Sequence, residues 1–193
     1  MDRGLAYGDG VFRTFPTRNG RALSWQRHYA KLARDAGALK LQVPTADVLE
    51  NEVRTVCESA GAHAVKIILT RGAGARGYGY DPADNPTRVV ISGPMPQEAA
   101  DRREHGIRVR LCSMKLAHQP ALAGVKHLNR LENVLARAEW SDPRIAEGIL
   151  CDSEGHVISG TMSNVFIAVN GGLATPRLDR CGVAGVTRER VIE

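Results

Sequence analysis

The chain has 193 residues, of which 43% are hydrophobic, 24% charged and 5% aromatic, and it carries a formal net charge of +5. These values exclude wholesale disorder and a low-complexity chain, and no apolar run approaches the ~18 residues of a membrane-spanning helix. The basic excess lacks the one-faced stripe of a nucleic-acid surface and suits an anionic small molecule better, while the absence of a basic-then-apolar leader predicts a cytoplasmic protein.

Residues 11–15 run into Asn19-Gly20 and read as a strand ending in a turn. From 25 to 39, Trp25, His28, Tyr29, Leu32, Ala36 and Leu39 recur at helical spacing, predicting an amphipathic helix with Ser24 as its cap. Leu49, Val53, Val56 and Ala60 step by three and four and predict a second helix ending at Gly61. Residues 64–70 and 87–92 are rich in β-branched residues and predict strands on either side of a Gly- and Pro-bearing loop. The stretch 93–106 is polar and broken by proline, the signature of a junction.

Further along, 106–113 predicts a strand, 115–124 a loop, and 128–140 a helix in which Asn129 and Glu132 have capping-box spacing. Short strands are expected at 147–151, 156–159 and 164–169, joined by turns at 152–155 and 170–172. Residues 186–193 open a helix without a stop signal, which predicts a chain cut short or a natural fragment. The expected architecture is α+β in two lobes. Residues 1–95 form the first lobe, 96–124 a junction strand and loop, and 125–193 an incomplete second lobe.

Residues 71–77 contain a G-x-G-x-x-G match, but Tyr78-Gly79-Tyr80-Asp81-Pro82 follows, which cannot open the helix that a dinucleotide site requires. What remains is a loop with two arginines, Arg71 and Arg76, suited to carboxylates; a plain solvated loop explains it equally well. The four cysteines lie far apart and the six histidines are scattered, so no disulfide scaffold or metal site is expected. Lysine is confined to positions 31, 40, 66, 115 and 126, with arginine at all other basic positions. Each lysine is therefore worth testing for a covalent role that only a primary amine fills. Lys40 ends a helix and Lys66 sits in a strand, where solvated or snorkelling roles suit them. Lys126 lies between a glycine-bearing loop and a helix start, although position alone favours an ordinary solvated lysine.

The run Lys126-His-Leu-Asn-Arg-Leu-Glu-Asn-Val-Leu-Ala-Arg137 resembles the 4-amino-4-deoxychorismate lyases. They are a branch of the fold-type IV pyridoxal-phosphate enzymes that also include branched-chain and D-amino-acid aminotransferases. Supporting segments run in the family's order: Asp2-Arg-Gly to Phe12, His28-x-x-Lys31-Leu32, Arg71-Gly to Arg76-Gly-Tyr78, Glu147-Gly to Asp152, Thr161-Met-Ser-Asn-Val-Phe166, and Thr175-Pro to Arg188. The resemblance implies that Lys126 holds pyridoxal 5'-phosphate through a Schiff base and later shuttles the proton. It places Lys31 where most relatives carry a phosphate-binding arginine, Val186 and Thr187 at a helix start that also receives the phosphate, and Thr161 and Asn164 beside the cofactor ring. Arg76, with Arg71 as a second candidate, would hold a substrate carboxylate, and Thr14 would help protonate the leaving group. A homodimer is implied as well, with no nucleic acid or membrane partner.

One departure stands out. The family pattern has glutamate where this chain has Ser159, and that carboxylate keeps the cofactor's ring nitrogen protonated. Serine hydrogen-bonds but supplies no charge, so weaker or altered activity is expected. Arg13 is a second departure, at a position where relatives often carry an uncharged or acidic residue. The expected reaction is conversion of 4-amino-4-deoxychorismate to 4-aminobenzoate and pyruvate. The alternatives are an aminotransferase, which usually has tyrosine where this chain has Leu131, and a relative that keeps the fold as a binding or scaffolding protein.

Overall fold

The computed structural model of the protein describes residues 1–57, 61–82, 85–96 and 100–193. It divides into two compact units, Met1–Gln97 with Lys126–Asn129, and Glu98–Val125 with Arg130–Glu193.

In the first unit, a short helix α1 (Arg3–Tyr7) precedes the antiparallel strands β1 (Gly10–Arg18), β2 (Arg21–Ala22), β3 (Ala62–Thr70) and β4 (Thr87–Pro94), ordered β2-β1-β3-β4. Helices α2 (Trp25–Ala38) and α3 (Ala46–Val56) lie between β2 and β3 in sequence. Strand residues alternate sides, and the alternation sorts this sheet sharply. Val11, Phe15, Val65, Ile67 and Leu69 are buried, as are Trp25, Leu32, Ala36, Leu49 and Val53 of the helices. The other face carries Phe12, Thr14, Lys66 and Ile68 with Val89 and Ile91, all at least partly exposed. The β1–β2 turn is made by Asn19 (φ 50°) and Gly20 (φ 71°), both in the left-handed region that a tight hairpin requires.

Helix α1 has no counterpart among the predicted elements. Five residues are too few for a periodic signal, but its ends are chemically marked: Asp2 accepts hydrogen bonds from the Gly4 and Leu5 N–H groups, and Gly8 closes the helix at φ 68°. Ser24 does precede α2, yet it makes no side-chain cap bond and adopts φ 56°. Helix α3 ends at Val56, with Cys57 as its cap; Ala60, at the expected end, lies outside the described residues.

In the second unit, helix α4 (Ala100–His105) leads into β5 (Arg108–Leu116), which pairs parallel with β6 (Ile145–Asp152); β6 pairs antiparallel with β7 (Val157–Gly160). Helix α5 (Leu131–Arg137) is followed by Trp140, and the core comprises Cys112, Leu116, Ala136, Trp140, Leu150, Ile158 and Cys181. Strands β8 (Ile167–Val169) and β9 (Gly172–Ala174) form a hairpin, and helix α6 (Val186–Ile192) follows. All four cysteines are free and buried. No helix among the described residues is long and apolar enough to cross a membrane.

Two boundaries differ from expectation for one reason. Residues 126–129, expected to open the second lobe and start a helix, belong to the first unit. The Phe12 N–H donates to the Lys126 carbonyl (2.9 Å), the Leu128 N–H to the Gly10 carbonyl (2.9 Å), and Val11 bridges antiparallel to His127. With its backbone engaged on the β1 edge, this stretch cannot be helical, and α5 begins at Leu131. The capping box is not formed. Asn129 donates instead to the Gly8 carbonyl, Glu132 accepts from the Ala117 N–H, and the residue before α5 is Arg130. The strand and loop up to Val125, expected as a junction, fall within the second unit.

Candidate active site

Lys126 is fixed at its backbone from two sides. Its carbonyl is held by β1, and its N–H donates to Asp35 Oδ2 (3.2 Å) on α2. Gly10 allows the close approach, since a side chain there would press on the Leu69 carbonyl (2.6 Å) and on Leu128 (2.7 Å). The half-buried Lys126 side chain places Nζ 4.6 Å from the centre of the Phe12 ring, and Lys66 Nζ lies 4.7 Å from the same centre. The outer sheet face therefore presents two primary amines around one aromatic ring.

Behind β1, Asp35 organises a buried charge cluster that the sequence reading missed. Lys31 is ion-paired with Asp35 one helical turn away, and Arg13 Nη1 lies 4.0 Å from Asp35 Oδ2; all three residues are buried. Burial lowers the pKa of Lys31, opposed by its bond to Asp35 and reinforced by Arg13 and Arg34. Burial, helped by Arg13, also pushes the neighbouring His28 down to about 4, so its ring is neutral near pH 7. The i, i+4 spacing of Lys31 and Asp35 was the available signal for this cluster.

The glycine-rich loop is clamped from within the same unit. Asp9 receives Arg3 Nε (3.0 Å) and Arg71 Nε (2.8 Å), and Arg3 also donates to the carbonyls of Gly77, Tyr78 and Gly79. Arg71 further donates to the Leu39 and Lys40 carbonyls and packs 3.7 Å from the Tyr80 ring centre. The buried Arg71 guanidinium thus holds the loop in place, which corrects its expected role as a ligand for substrate. Arg76 is exposed on the loop and Thr14 is exposed on β1.

In the second unit, Ser159 is buried on β7 opposite Leu150. Glu147 gathers the following turn. Its carboxylate accepts from the N–H groups of Gly148, Thr161 and Met162 and from the hydroxyls of Thr161 and Ser163. Burial raises its pKa, but these hydrogen bonds outweigh burial and hold it below the usual value. Asn164 joins that turn to the start of α6, accepting from the Gly185 N–H (3.2 Å) and donating to the Val183 carbonyl (2.9 Å). A side chain at Gly185 would meet Asn164 Oδ1 at 2.4 Å. Val186 and Thr187 follow in the first turn of α6, where N–H groups have no intrahelical acceptor.

These donors match the chemistry of pyridoxal phosphate. The Lys126 amine suits its aldehyde, and the N–H groups and Thr187 hydroxyl at the glycine-led start of α6 suit its phosphate.

Residues 10–193 match the amino-transferase class IV family. Over its whole length the chain is 36% identical to an aminodeoxychorismate lyase from Vibrio harveyi, covering 71% of that protein. It is 32% identical to a protein of Methanocaldococcus jannaschii named as a branched-chain-amino-acid aminotransferase, covering 67% of it. Among solved structures, the 4-amino-4-deoxychorismate lyase from Pseudomonas aeruginosa is similar with a TM-score of 0.93 and 42% identity, over 99% of this chain and 70% of that one.

Proposed function

The chain belongs to the amino-transferase class IV family and has its mixed α+β fold, and from that premise we propose that it is a pyridoxal-phosphate-dependent lyase. Its reaction converts 4-amino-4-deoxychorismate to 4-aminobenzoate and pyruvate. The observation that carries this reading is the Lys126 amine, its backbone pinned by β1 and Asp35 and its Nζ set over Phe12. The similarity to two aminodeoxychorismate lyases supports it.

When bound, pyridoxal phosphate supplies an electron sink for negative charge at the substrate carbon next to nitrogen. Lys126 holds it and then acts as general base, removing the ring proton beside the amine. Loss of the enolpyruvyl group makes the ring aromatic, which provides much of the driving force. Thr14, on the same sheet face, donates a proton toward the leaving group, and Arg76 holds a substrate carboxylate. Val186 and Thr187, with Lys31, bind the phosphate. Thr161 and Asn164 line the ring, and Ser159 stands where a charged partner for its nitrogen is expected. A homodimer in the cytoplasm, free of nucleic acid and membrane, completes the proposal.

Purified protein is expected to show an absorption band near ~400–430 nm that borohydride erases and that Lys126→Ala lacks. A protein that stays colourless with added cofactor would favour a scaffolding role. The similarity to the M. jannaschii aminotransferase keeps transamination as a second reading. Pyruvate release from 4-amino-4-deoxychorismate without any keto-acid acceptor identifies the lyase, and strict dependence on an acceptor identifies the aminotransferase.

A further inference from the structure

Lys66 lies in the middle of β3, with its Cα directly opposite Thr14 on β1 and Ile91 on β4. Directly paired residues of antiparallel strands share a face, so Lys66 stands on the same face as Phe12 and Thr14. Its Nζ and that of Lys126 each lie within 5 Å of the Phe12 ring centre, which puts the two nitrogens less than about 10 Å apart. The Lys66 side chain is half-buried, and no carboxylate pairs with it among the described residues. A cation held by an aromatic face, partly desolvated and lacking an acid, is primed for an anion.

We propose that Lys66 binds the ring carboxylate of the substrate, the one that 4-aminobenzoate retains. This rests on the lyase reading, in which the substrate presents its amine to Lys126. The ring carboxylate lies across a six-membered ring from that amine, and the ring plus one hydrogen bond of about 2.8 Å is compatible with the upper limit that the Phe12 contacts set on the separation of the two nitrogens. Lys66 is then the residue that selects aromatic and cyclohexadienyl amines carrying a carboxylate opposite the nitrogen.

The test titrates 4-aminobenzoate and aniline into cofactor-loaded wild type, Lys66→Met and Lys66→Arg, with the ~400–430 nm band recorded for each. Lys66→Met is expected to weaken 4-aminobenzoate about tenfold or more while leaving aniline and the band unchanged, and to raise KM far more than it lowers kcat. Lys66→Arg is expected to restore most of the affinity. Equal 4-aminobenzoate affinity in Lys66→Met and wild type, with the band present in both, overturns this inference alone. Absence of the band from wild type overturns the lyase reading and this inference with it.

Discussion

Ser159 is the residue at which, on the family resemblance, this chain has serine in place of an expected glutamate. A buried serine on β7 offers a hydrogen bond but no charge, so under the proposed function it would leave the pull on electrons through the cofactor ring weaker. Ser159→Glu is expected to raise turnover in steady-state assays of pyruvate release, and an unchanged rate would refute the account. Aromatisation of the product lowers the demand on the electron sink, so the wild type is expected to turn over as well. Lys126 was legible because primary amines are scarce in this chain and because the surrounding run matches a family signature. Asp35 and Lys66 were not, because the role of each arises from contacts with residues distant in sequence. Asp35 meets the Lys126 backbone 91 positions away, and Lys66 meets Phe12 only once β1 and β3 have paired. Arg71 erred the other way: its residue type suits a carboxylate, and the carboxylate it found was Asp9 of the same chain.

At the scale of elements, the β6–β7 hairpin shows a turn stabilised by one buried acid. Asp152 Oδ1 accepts from the N–H groups of Glu154 (3.0 Å) and His156 (2.8 Å), and Oδ2 contacts His118 Nε2 (3.0 Å) and His156 Nδ1 (3.3 Å). Burial pushes its pKa up, but the bonds from His118, His156 and Glu154 outweigh burial and hold it well below the usual carboxylate value. A depressed carboxyl pKa contributes stability above the unfolded value of about 3.9, and that stability is lost as pH falls through the folded value. Asp152→Asn is therefore expected to melt below wild type near pH 7, with the difference shrinking as pH drops below about 4. A gap that stays constant across thermal melts over this range would show that the charge is not responsible. The turn itself was readable from Asp152-Ser-Glu-Gly155. The α5 boundary was not, because helical periodicity continues through residues 128–130 while the β1 edge claims the preceding backbone.

At the scale of the molecule, a ligand that binds only the folded chain stabilises it by mass action. Pyridoxal phosphate at about a hundred times its Kd adds about 2.7 kcal/mol, and a chain of this size gains about 2–4 °C per kcal/mol. Calorimetry is expected to show a rise of roughly 5–10 °C for wild type and a much smaller one for Lys126→Ala; equal shifts would argue against a covalent link at that lysine. What the sequence determined by itself was the α+β alternation of elements and the family, and it singled out Lys126 as the candidate for the proposed Schiff base. Periodicity, turn residues and linear motifs are properties of neighbours along the chain. The tertiary structure alone decided that residues 126–129 belong with β1, that Asp35 anchors them, that Arg71 clamps a loop, and that a second lysine shares the Phe12 ring. Each of these depends on which distant groups meet, and strand pairing, burial and charge neutralisation settle that only when the chain folds.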